Sequence, residues 1–253
     1  MGNNEVKQGI TRICGYDADS ISVRGRDLVS DLMGQHSFTE AFLLQALGEL
    51  PNDRQRAIVD AVMVTIMEHG LVPSAVVTRL THYGAPESYQ GAIAAGLLGV
   101  GDRYAGTASE CGALLERIAS ARDSAAEAEA IVTDYRSRRR PLPGFGHPIH
   151  QDTDPRVKRL LAIVEDIGCD GQYLGAMQTL EDSLSRVLGK RLVTNISAAI
   201  GAALAEAGVP SGMMRGVILV ARCAGLVGHL LEETQAPIAD DMWKGAQAPI
   251  RYE

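Results

Sequence analysis

The sequence lacks the cysteine spacing of disulfide-rich and zinc-binding proteins. Its four cysteines, at positions 14, 111, 169 and 223, are scattered and form no Cys-x-x-Cys pair. The first ten residues, MGNNEVKQGI, contain no apolar segment typical of a secretory leader. We therefore expect free thiols in a reducing cytoplasm.

Positive charge is also scarce. The chain has 24 lysines and arginines against 31 acidic residues, a formal net charge of -7. Binding to nucleic acid phosphates needs a basic field, so we predict no nucleic acid partner, although local arginines could hold a small anion. The longest apolar run, GVILVARCAGLVGHLL, is interrupted by Arg222 and His229. We expect it to be too short to span a bilayer, and we predict a soluble protein without a membrane partner.

Helical periodicity dominates the chain. In RQRAIVDAVMVTIMEHG, apolar residues spaced four apart share one stripe and Gly70 is a stop signal, which predicts a helix closing at His69. SFTEAFLLQALGEL begins with Ser37 and Glu40, the pair of a capping box. Strand signals are limited to short pieces such as ISVRG, so we predict an all-α fold. Further helices are predicted over ASECGALLERIASA, SAAEAEAIVTDYRSR, DPRVKRLLAIVEDIG and GMMRGVILVARCAGLVGHLLEE.

One loop, PLPGFGHPIHQDTDPR at residues 141–156, is held between two predicted helices, a common place for functional side chains. Asp154 and Pro155 are a typical N-cap and first residue of the second helix. Glycines beside His147 let the backbone approach a ligand, and its imidazole could donate a hydrogen bond, relay a proton or cap a backbone carbonyl. His150 has no third ligand near it, so we predict no metal site.

Three other side chains are candidates for binding an anion. Arg156 is expected at a helix start, where free N–H groups favour a carboxylate, although a surface position is the alternative. Arg222 interrupts an apolar helix, and a buried guanidinium needs either an internal acid or an anionic ligand. His69 follows an apolar helix, which it could simply cap.

Two segments each allow two interpretations. GLLGVGDRYAG, residues 96–106, could cradle a phosphate, but it lacks the P-loop Lys-Ser/Thr and tight helix packing is favoured. YRSRRR, residues 135–140, is typical of a solvated helix end, although it could meet the phosphates of a nucleotide-containing ligand.

Taken in order, six segments resemble the citrate synthase superfamily, most closely its short branch of citryl-CoA lyases and the matching C-terminal module of ATP-citrate lyase. The resemblance covers nearly the whole chain. It implies an all-helical fold, a homodimer or larger homo-oligomer, and an active site between a large lobe (about 1–104 plus 208–253) and a small lobe (about 105–207). The segments are ISVRGRDLVSDLMGQHSFTEAFLLQALGELP, MEHGLVPSAVVTR, GLLGVGDRYAG, PGFGHPIHQDTDPR, TNISAAIGAAL and VARCAGLVGHLLEE.

The resemblance also implies a reaction and residues that carry it. The family makes or breaks a carbon-carbon bond between the α-carbon of a CoA thioester and a ketone such as oxaloacetate, with no tightly bound cofactor. By motif, His69 and His147 would contact the oxaloacetate part of the substrate. Arg156 and Arg222 would clamp its carboxylates, and His147 would help remove the hydroxyl proton during cleavage.

Two positions depart from full-length citrate synthases. The first is Tyr104, which stands where full-length citrate synthases carry a histidine in Gly-Pro-x-His-Gly-Gly; the short lyase branch shows an aromatic residue there. The resemblance implies that Tyr104 contacts the CoA thioester together with the loop of Gly144, Phe145 and Gly146. Ser197 stands in Asn-Ile-Ser where the family carries the acid/base aspartate of Asn-Val-Asp. A serine hydroxyl is un-ionised at neutral pH without an activating base and cannot take an α-proton as a carboxylate can.

We therefore predict a citryl-CoA-lyase-like or citrate-synthase-like enzyme with His147 and Ser197 at the catalytic positions. One alternative is a catalytically impaired homologue that binds a CoA thioester or a dicarboxylate. Another is a thioester hydrolase that uses Ser197 or a water it holds. The superfamily can take an arginine from a partner subunit, and Arg251 is the candidate for that role.

Overall fold

Helix start and stop signals govern most of the fold. A computed structural model describes residues 9–146 and 154–253. Within these ranges the chain forms eleven α-helices, two short π-helical segments and one small sheet. The predicted all-α fold class is confirmed.

The elements follow one another along the chain in this order: β1 (Cys14–Tyr16), β2 (Ile21–Val23), β3 (Arg26–Asp27), a π-helical segment (Leu28–Leu32), α1 (Phe38–Leu47), α2 (Asp53–Ile66), α3 (Pro73–Gly84), α4 (Tyr89–Leu98), a second π-helical segment (Asp102–Gly106), α5 (Thr107–Ser120), α6 (Ser124–Ser137), α7 (Pro155–Ile167), α8 (Gln172–Leu188), α9 (Ile196–Glu206), α10 (Ser211–Gln235) and α11 (Ala239–Gln247).

The chain divides into two compact units, residues 1–57 and 58–253, with the division inside α2. In the first unit, ISVRG supplies β2 of an antiparallel sheet in the order β1-β2-β3. Arg24 and Gly25, with φ of 50° and 79°, form the two-residue turn to β3. The capping box of α1 also forms as the sequence predicts.

The second unit is built around two helical layers that share α5 and α9. One core joins α5, α6, α8 and α9 through buried apolar side chains such as Ile118, Ile131 and Leu180. On the other side, α10 packs against α3, α4 and α5, and α7 packs against α9. The lobe boundaries implied by the resemblance stay a prediction.

Small residues let neighbouring helices of this unit approach closely. A Cβ built on Gly201 of α9 would lie 3.0 Å from the carbonyl oxygen of Ala108 and from the amide nitrogen of Gly112, both on α5. A Cβ on Gly96 of α4 would clash with Thr78 on α3. Gly96, the first glycine of GLLGVGDRYAG, thus serves helix packing, as favoured from the sequence.

Two expectations about helix length were wrong. Helix α2 ends at Ile66, three residues before the predicted end, because Glu68 leaves the helical path and accepts hydrogen bonds from the next two backbone N–H groups. Helix α10 is 25 residues long and, by length and composition, could cross a membrane. Its polar interruptions lie inside the helix instead of ending it, and 44% of its most apolar window is buried within the protein.

The cysteines give a direct test of this packing. None of the four forms a disulfide bond; Cys14 is exposed, whereas Cys111 is fully buried in the α5 core. Burial, with a smaller contribution from Glu110, raises the pKa of the Cys111 thiol to about 12.

We expect a thiol-specific disulfide reagent at pH 8 to modify Cys14 first and Cys111 only after unfolding. Fast labelling of the Cys111 peptide in native Cys14→Ser protein, measured by mass spectrometry, would contradict this packing.

Candidate active site

The Glu-His-Gly turn after α2 is held by its own glutamate. Glu68 Oε1 accepts hydrogen bonds from the backbone N–H groups of His69 and Gly70, each at 2.7 Å. Partial burial raises the pKa of the Glu68 carboxyl, but hydrogen bonds from His69, His229 and Gly70 outweigh burial, so the pKa is lowered overall. Glu68 therefore stays ionised near neutral pH and fixes the backbone that carries His69.

Arg156 lies on the first turn of α7, as the sequence predicts. Asp154 is the N-cap; it accepts the backbone N–H of Arg156 at 3.0 Å and binds the guanidinium through Nε at 3.0 Å and Nη2 at 2.7 Å. Asp154 is 1% exposed. The remaining terminal nitrogen, Nη1, lies 3.5 Å from Nδ1 of His69, 87 positions away in the sequence. The fold thus brings together two of the predicted substrate-binding residues.

Arg222 lies in the middle of α10 and is 7% exposed. Burial lowers the pKa of its guanidinium, Glu68 acts in the opposite direction and Arg156 adds to the lowering. No residue in ranges 9–146 and 154–253 forms a hydrogen bond or an ion pair with this guanidinium, so Glu68 balances it only from a distance. A buried cation without a direct partner is suited to an anionic ligand such as a carboxylate.

These groups share one region of the second unit. Glu68, Arg222 and His229 line the same small cavity between the turn after α2 and α10. Arg222 and His229 therefore lie beside one ionised glutamate. Arg222 and the nearby Arg156 offer the guanidinium groups that bind carboxylates.

A second group of predicted residues forms where the first turns of α5 and α9 meet. Ser197 is the second residue of α9, and its Oγ lies 2.9 Å from Oγ1 of Thr107, the first residue of α5. Asn195 caps α9 by accepting the backbone N–H of Ser197 at 2.9 Å. Among the residues that the structure describes, the partner of the serine hydroxyl is another hydroxyl, which cannot act as a base near neutral pH.

The loop of Gly144, Phe145 and Gly146 lies beside this helix start. The backbone N–H of Gly146 donates to the carbonyl of Val193 at 2.7 Å. The side-chain amide of Asn195 donates to the Gly146 carbonyl at 2.9 Å. Gly144 has a φ of 89°, and a Cβ there would lie 2.7 Å from Cβ of Ala198. These bonds hold the backbone just before position 147 against the end of α9 that carries Ser197.

Asp154 connects the two groups. It pairs with Arg156 and also lines a cleft of about 260 Å³ with Val193 and Thr194, the residues immediately before Asn195. The two groups of predicted residues therefore belong to neighbouring parts of one unit.

The sequence also singled out four other residues. His147 and His150 lie outside the described residues. Tyr104 falls within the π-helical segment directly before Thr107, and Arg251 is exposed in the C-terminal coil. Their assigned roles stay predictions.

Three side chains that shape this region were not predicted from the sequence. Arg79 of α3 is 1% exposed and donates through Nε to Nδ1 of His229 at 3.0 Å, while Nε2 of His229 lies 3.1 Å from Glu68. The sequence held signals for each: Arg79 and His229 interrupt apolar helix faces, and Glu68 precedes a candidate histidine. Their partners lie about 150 positions apart in the chain, a distance that local patterns do not bridge.

No group of three or more histidine, cysteine or acidic side chains is placed to hold a metal ion in the parts of the chain that the structure describes. This statement does not extend to positions 147 and 150.

The fold and this region define a helical protein with two neighbouring arginines suited to binding carboxylates, and comparison with known proteins identifies its family. Residues 20–241 match the C-terminal domain of citrate synthase, so the chain belongs to the citrate synthase family. The resemblance stated from the motifs is thereby confirmed.

Two solved structures and one sequence relative illustrate the likeness. Citryl-CoA lyase from Hydrogenobacter thermophilus is 30% identical, with 97% of this chain and 94% of that chain covered and a TM-score of 0.86. ATP citrate lyase from Methanothrix soehngenii, in complex with citrate and coenzyme A, shares the fold at 19% identity and a TM-score of 0.74, covering 90% of this chain and 39% of that one. Citrate synthase from Haloferax volcanii is 27% identical over 197 residues, which are 76% of this chain and 50% of the relative. The chain spans about half the length of the curated relatives it matches.

The loop beside Ser197 provides a stability test. In Gly144→Ala the new methyl group meets both a positive φ and Ala198 at 2.7 Å, so we expect the free energy of unfolding to fall by about 2–5 kcal/mol. Gly146→Ala is the matched control, because it shares the positive φ, 86°, but faces open space. Its loss should be about 1–2 kcal/mol. Equal losses in urea unfolding of the two variants would refute the close contact at Gly144.

Proposed function

We propose that the chain is an enzyme that cleaves, or in reverse forms, the carbon-carbon bond between the α-carbon of a CoA thioester and a 2-oxo acid such as oxaloacetate. Citryl-CoA is the substrate we favour. The observation that carries the proposal is the contact of Arg156 with His69 at 3.5 Å, near the buried Arg222, whose guanidinium has no ion-pair partner among the described residues. It is supported by similarity to a citryl-CoA lyase over 97% of this chain and 94% of that chain.

The described residues suit the binding part of this reaction. Arg156 keeps Nη1 and one N–H of Nη2 for a substrate carboxylate after Asp154 has taken the rest of its guanidinium. Arg222 offers a second guanidinium. His69 lies where its ring could donate a hydrogen bond to the oxygen on the carbon that becomes the ketone.

In the proposed cleavage, His147 accepts the proton of the substrate hydroxyl. The oxygen lone pair then forms the ketone as the adjacent carbon-carbon bond breaks, and the electrons of that bond pass into the thioester as an enolate. Protonation of the enolate at its α-carbon gives the acyl-CoA product, so one proton is removed and one is returned. No tightly bound cofactor takes part.

Ser197 is the position at which the alternatives differ. Its hydroxyl pairs with Thr107 at 2.9 Å, which favours an impaired homologue that binds a CoA thioester or a dicarboxylate as the second candidate function. An activated serine nucleophile needs an imidazole or another base at that distance, and among the described residues Ser197 has only the Thr107 hydroxyl there, which does not favour a thioester hydrolase.

We also propose a cytoplasmic homodimer or higher homo-oligomer. In such an assembly, Arg251 of a second copy would complete the carboxylate clamps. Its exposed position near the C-terminus leaves it available for that role.

The first test is cleavage of citryl-CoA, with released oxaloacetate reduced by malate dehydrogenase and NADH loss followed by absorbance. We expect Arg156→Gln and Arg222→Gln each to lower kcat/KM by about 30-fold or more, since a lost charge-assisted contact costs about 2 kcal/mol or more. Arg159→Gln is the matched control, because this exposed arginine lies on the same helix as Arg156. Absence of NADH loss at high enzyme concentration would exclude citryl-CoA as a substrate. A rise in Tm with oxaloacetate and CoA but without turnover would favour the binding homologue.

The second test restores the acid/base group. We expect Ser197→Asp to raise kcat by about tenfold or more, because general acid-base catalysis contributes about 10²- to 10⁴-fold. Ser197→Asn is the matched control; it has the shape of aspartate without an ionisable proton and should give no increase. A fall in activity in Ser197→Asp would show that the serine hydroxyl has a role of its own.

A further inference from the structure

Behind the Glu-His-Gly turn, a chain of polar side chains runs through the protein from α11 to Glu68. Arg79 lies at its centre and is 1% exposed. Its guanidinium is bound by Glu232 and by Glu233, the latter at 2.6 Å, and its Nε donates to His229. None of these four residues belongs to the substrate-binding set described above.

The donors and acceptors fix the state of His229. Arginine can only donate hydrogen bonds, so Nδ1 of His229 must accept from Arg79 and carries no proton. The ring proton therefore lies on Nε2, which donates to the Glu68 carboxylate at 3.1 Å. His229 is thus a neutral ring that accepts a hydrogen bond from Arg79 and donates one to Glu68.

The far end of the chain is anchored to the backbone. Glu233 is 5% exposed, and its Oε1 accepts the N–H groups of Ile238 at 2.9 Å and Ala239 at 2.8 Å, at the start of α11. Arg79 is therefore held from one side by a carboxylate that cannot move freely. This row of polar side chains therefore begins at the buried Glu233 and ends at the turn that carries His69.

We propose that His229 and Arg79 are positioning residues for His69. They orient the carboxylate of Glu68, which in turn holds the backbone N–H groups of His69 and Gly70. This sets the His69 ring within reach of Arg156. The functional meaning rests on the proposed lyase activity, whereas the geometric relation does not.

Two substitutions separate the links of the chain. In His229→Asn the shorter amide can still accept from Arg79 but cannot reach Glu68, so the buried guanidinium stays satisfied while the His69 turn is released. In His229→Gln the amide carries one acceptor and one donor and extends far enough to serve both neighbours. His82→Gln is the matched control, a histidine one turn beyond Arg79 on α3 whose Nδ1 forms no hydrogen bond in the structure.

The first readout is NMR of ring-labelled histidine, which needs no ligand and is resolvable with six histidines. We expect the nitrogen shifts of wild-type His229 to report a neutral ring protonated on Nε2. The resonances and titration midpoint of His69 should change in His229→Asn, return toward wild type in His229→Gln and stay unchanged in His82→Gln. Wild-type His69 resonances in a folded His229→Asn protein would overturn the proposal.

The second readout is catalytic. We expect His229→Asn to lower kcat/KM for citryl-CoA by about tenfold or more, because a small misplacement of a binding group is enough for such a loss. His229→Gln should recover most of it and His82→Gln should match wild type. If wild type shows neither turnover nor oxaloacetate binding, the proposed function fails while the NMR comparison still decides the positioning role. Equal kcat/KM in wild type and His229→Asn would overturn the catalytic consequence.

Discussion

The burial of Arg79 is the constraint on which the site region depends. An arginine 1% exposed must have its charge and its N–H groups matched by partners, or its burial would strongly destabilise the fold. The protein meets this demand with two glutamates and a histidine of α10. Helices α3 and α10 are therefore held in one relative register, and the turn that carries His69 is tied to both through Glu68.

The part of the site around Ser197 depends on small side chains where α9 packs against α5. Helix α9 is rich in alanine, and Gly201 allows its backbone to lie against that of α5. Close packing of this kind leaves little freedom in how the two helix starts meet. The hydroxyls of Thr107 and Ser197 are therefore placed together by the core and not by a loop. A polar buried network and a small-residue interface thus each fix one side of the candidate site.

The sequence predicted local features well. Caps such as Ser37 and Asp154 act over a few residues, so their signals survive in a single sequence. The end of α2 was misplaced because Gly70 is a stop signal, whereas the carboxylate of Glu68 had already replaced the helical hydrogen bonds. Here a side chain competed with the helix for backbone N–H groups, and composition alone does not reveal which wins.

The candidate site was predicted in part. Motif resemblance supplied His69, Arg156 and Arg222, and the fold brings the first two into contact. It did not supply Arg79 or His229, because their role arises from partners that meet only after α3 and α10 have packed. The family's catalytic motifs are short strings around substrate-contacting residues. Residues that contact a substrate-binding residue, and not the substrate itself, carry no comparable local pattern.

At Ser197 the demands of folding and of chemistry separate. Serine and aspartate are both favourable in the first turn of a helix, because a hydroxyl or a carboxylate can interact with free N–H groups and with the helix dipole. The fold is therefore compatible with either residue at the second position of α9. A carboxylate there would add a group able to exchange a proton, whereas the pair with Thr107 supplies hydrogen bonds alone. A serine in place of aspartate at this position is therefore expected to bear on proton transfer more than on stability, and the group that exchanges the α-proton decides which reaction the proposed site can catalyse.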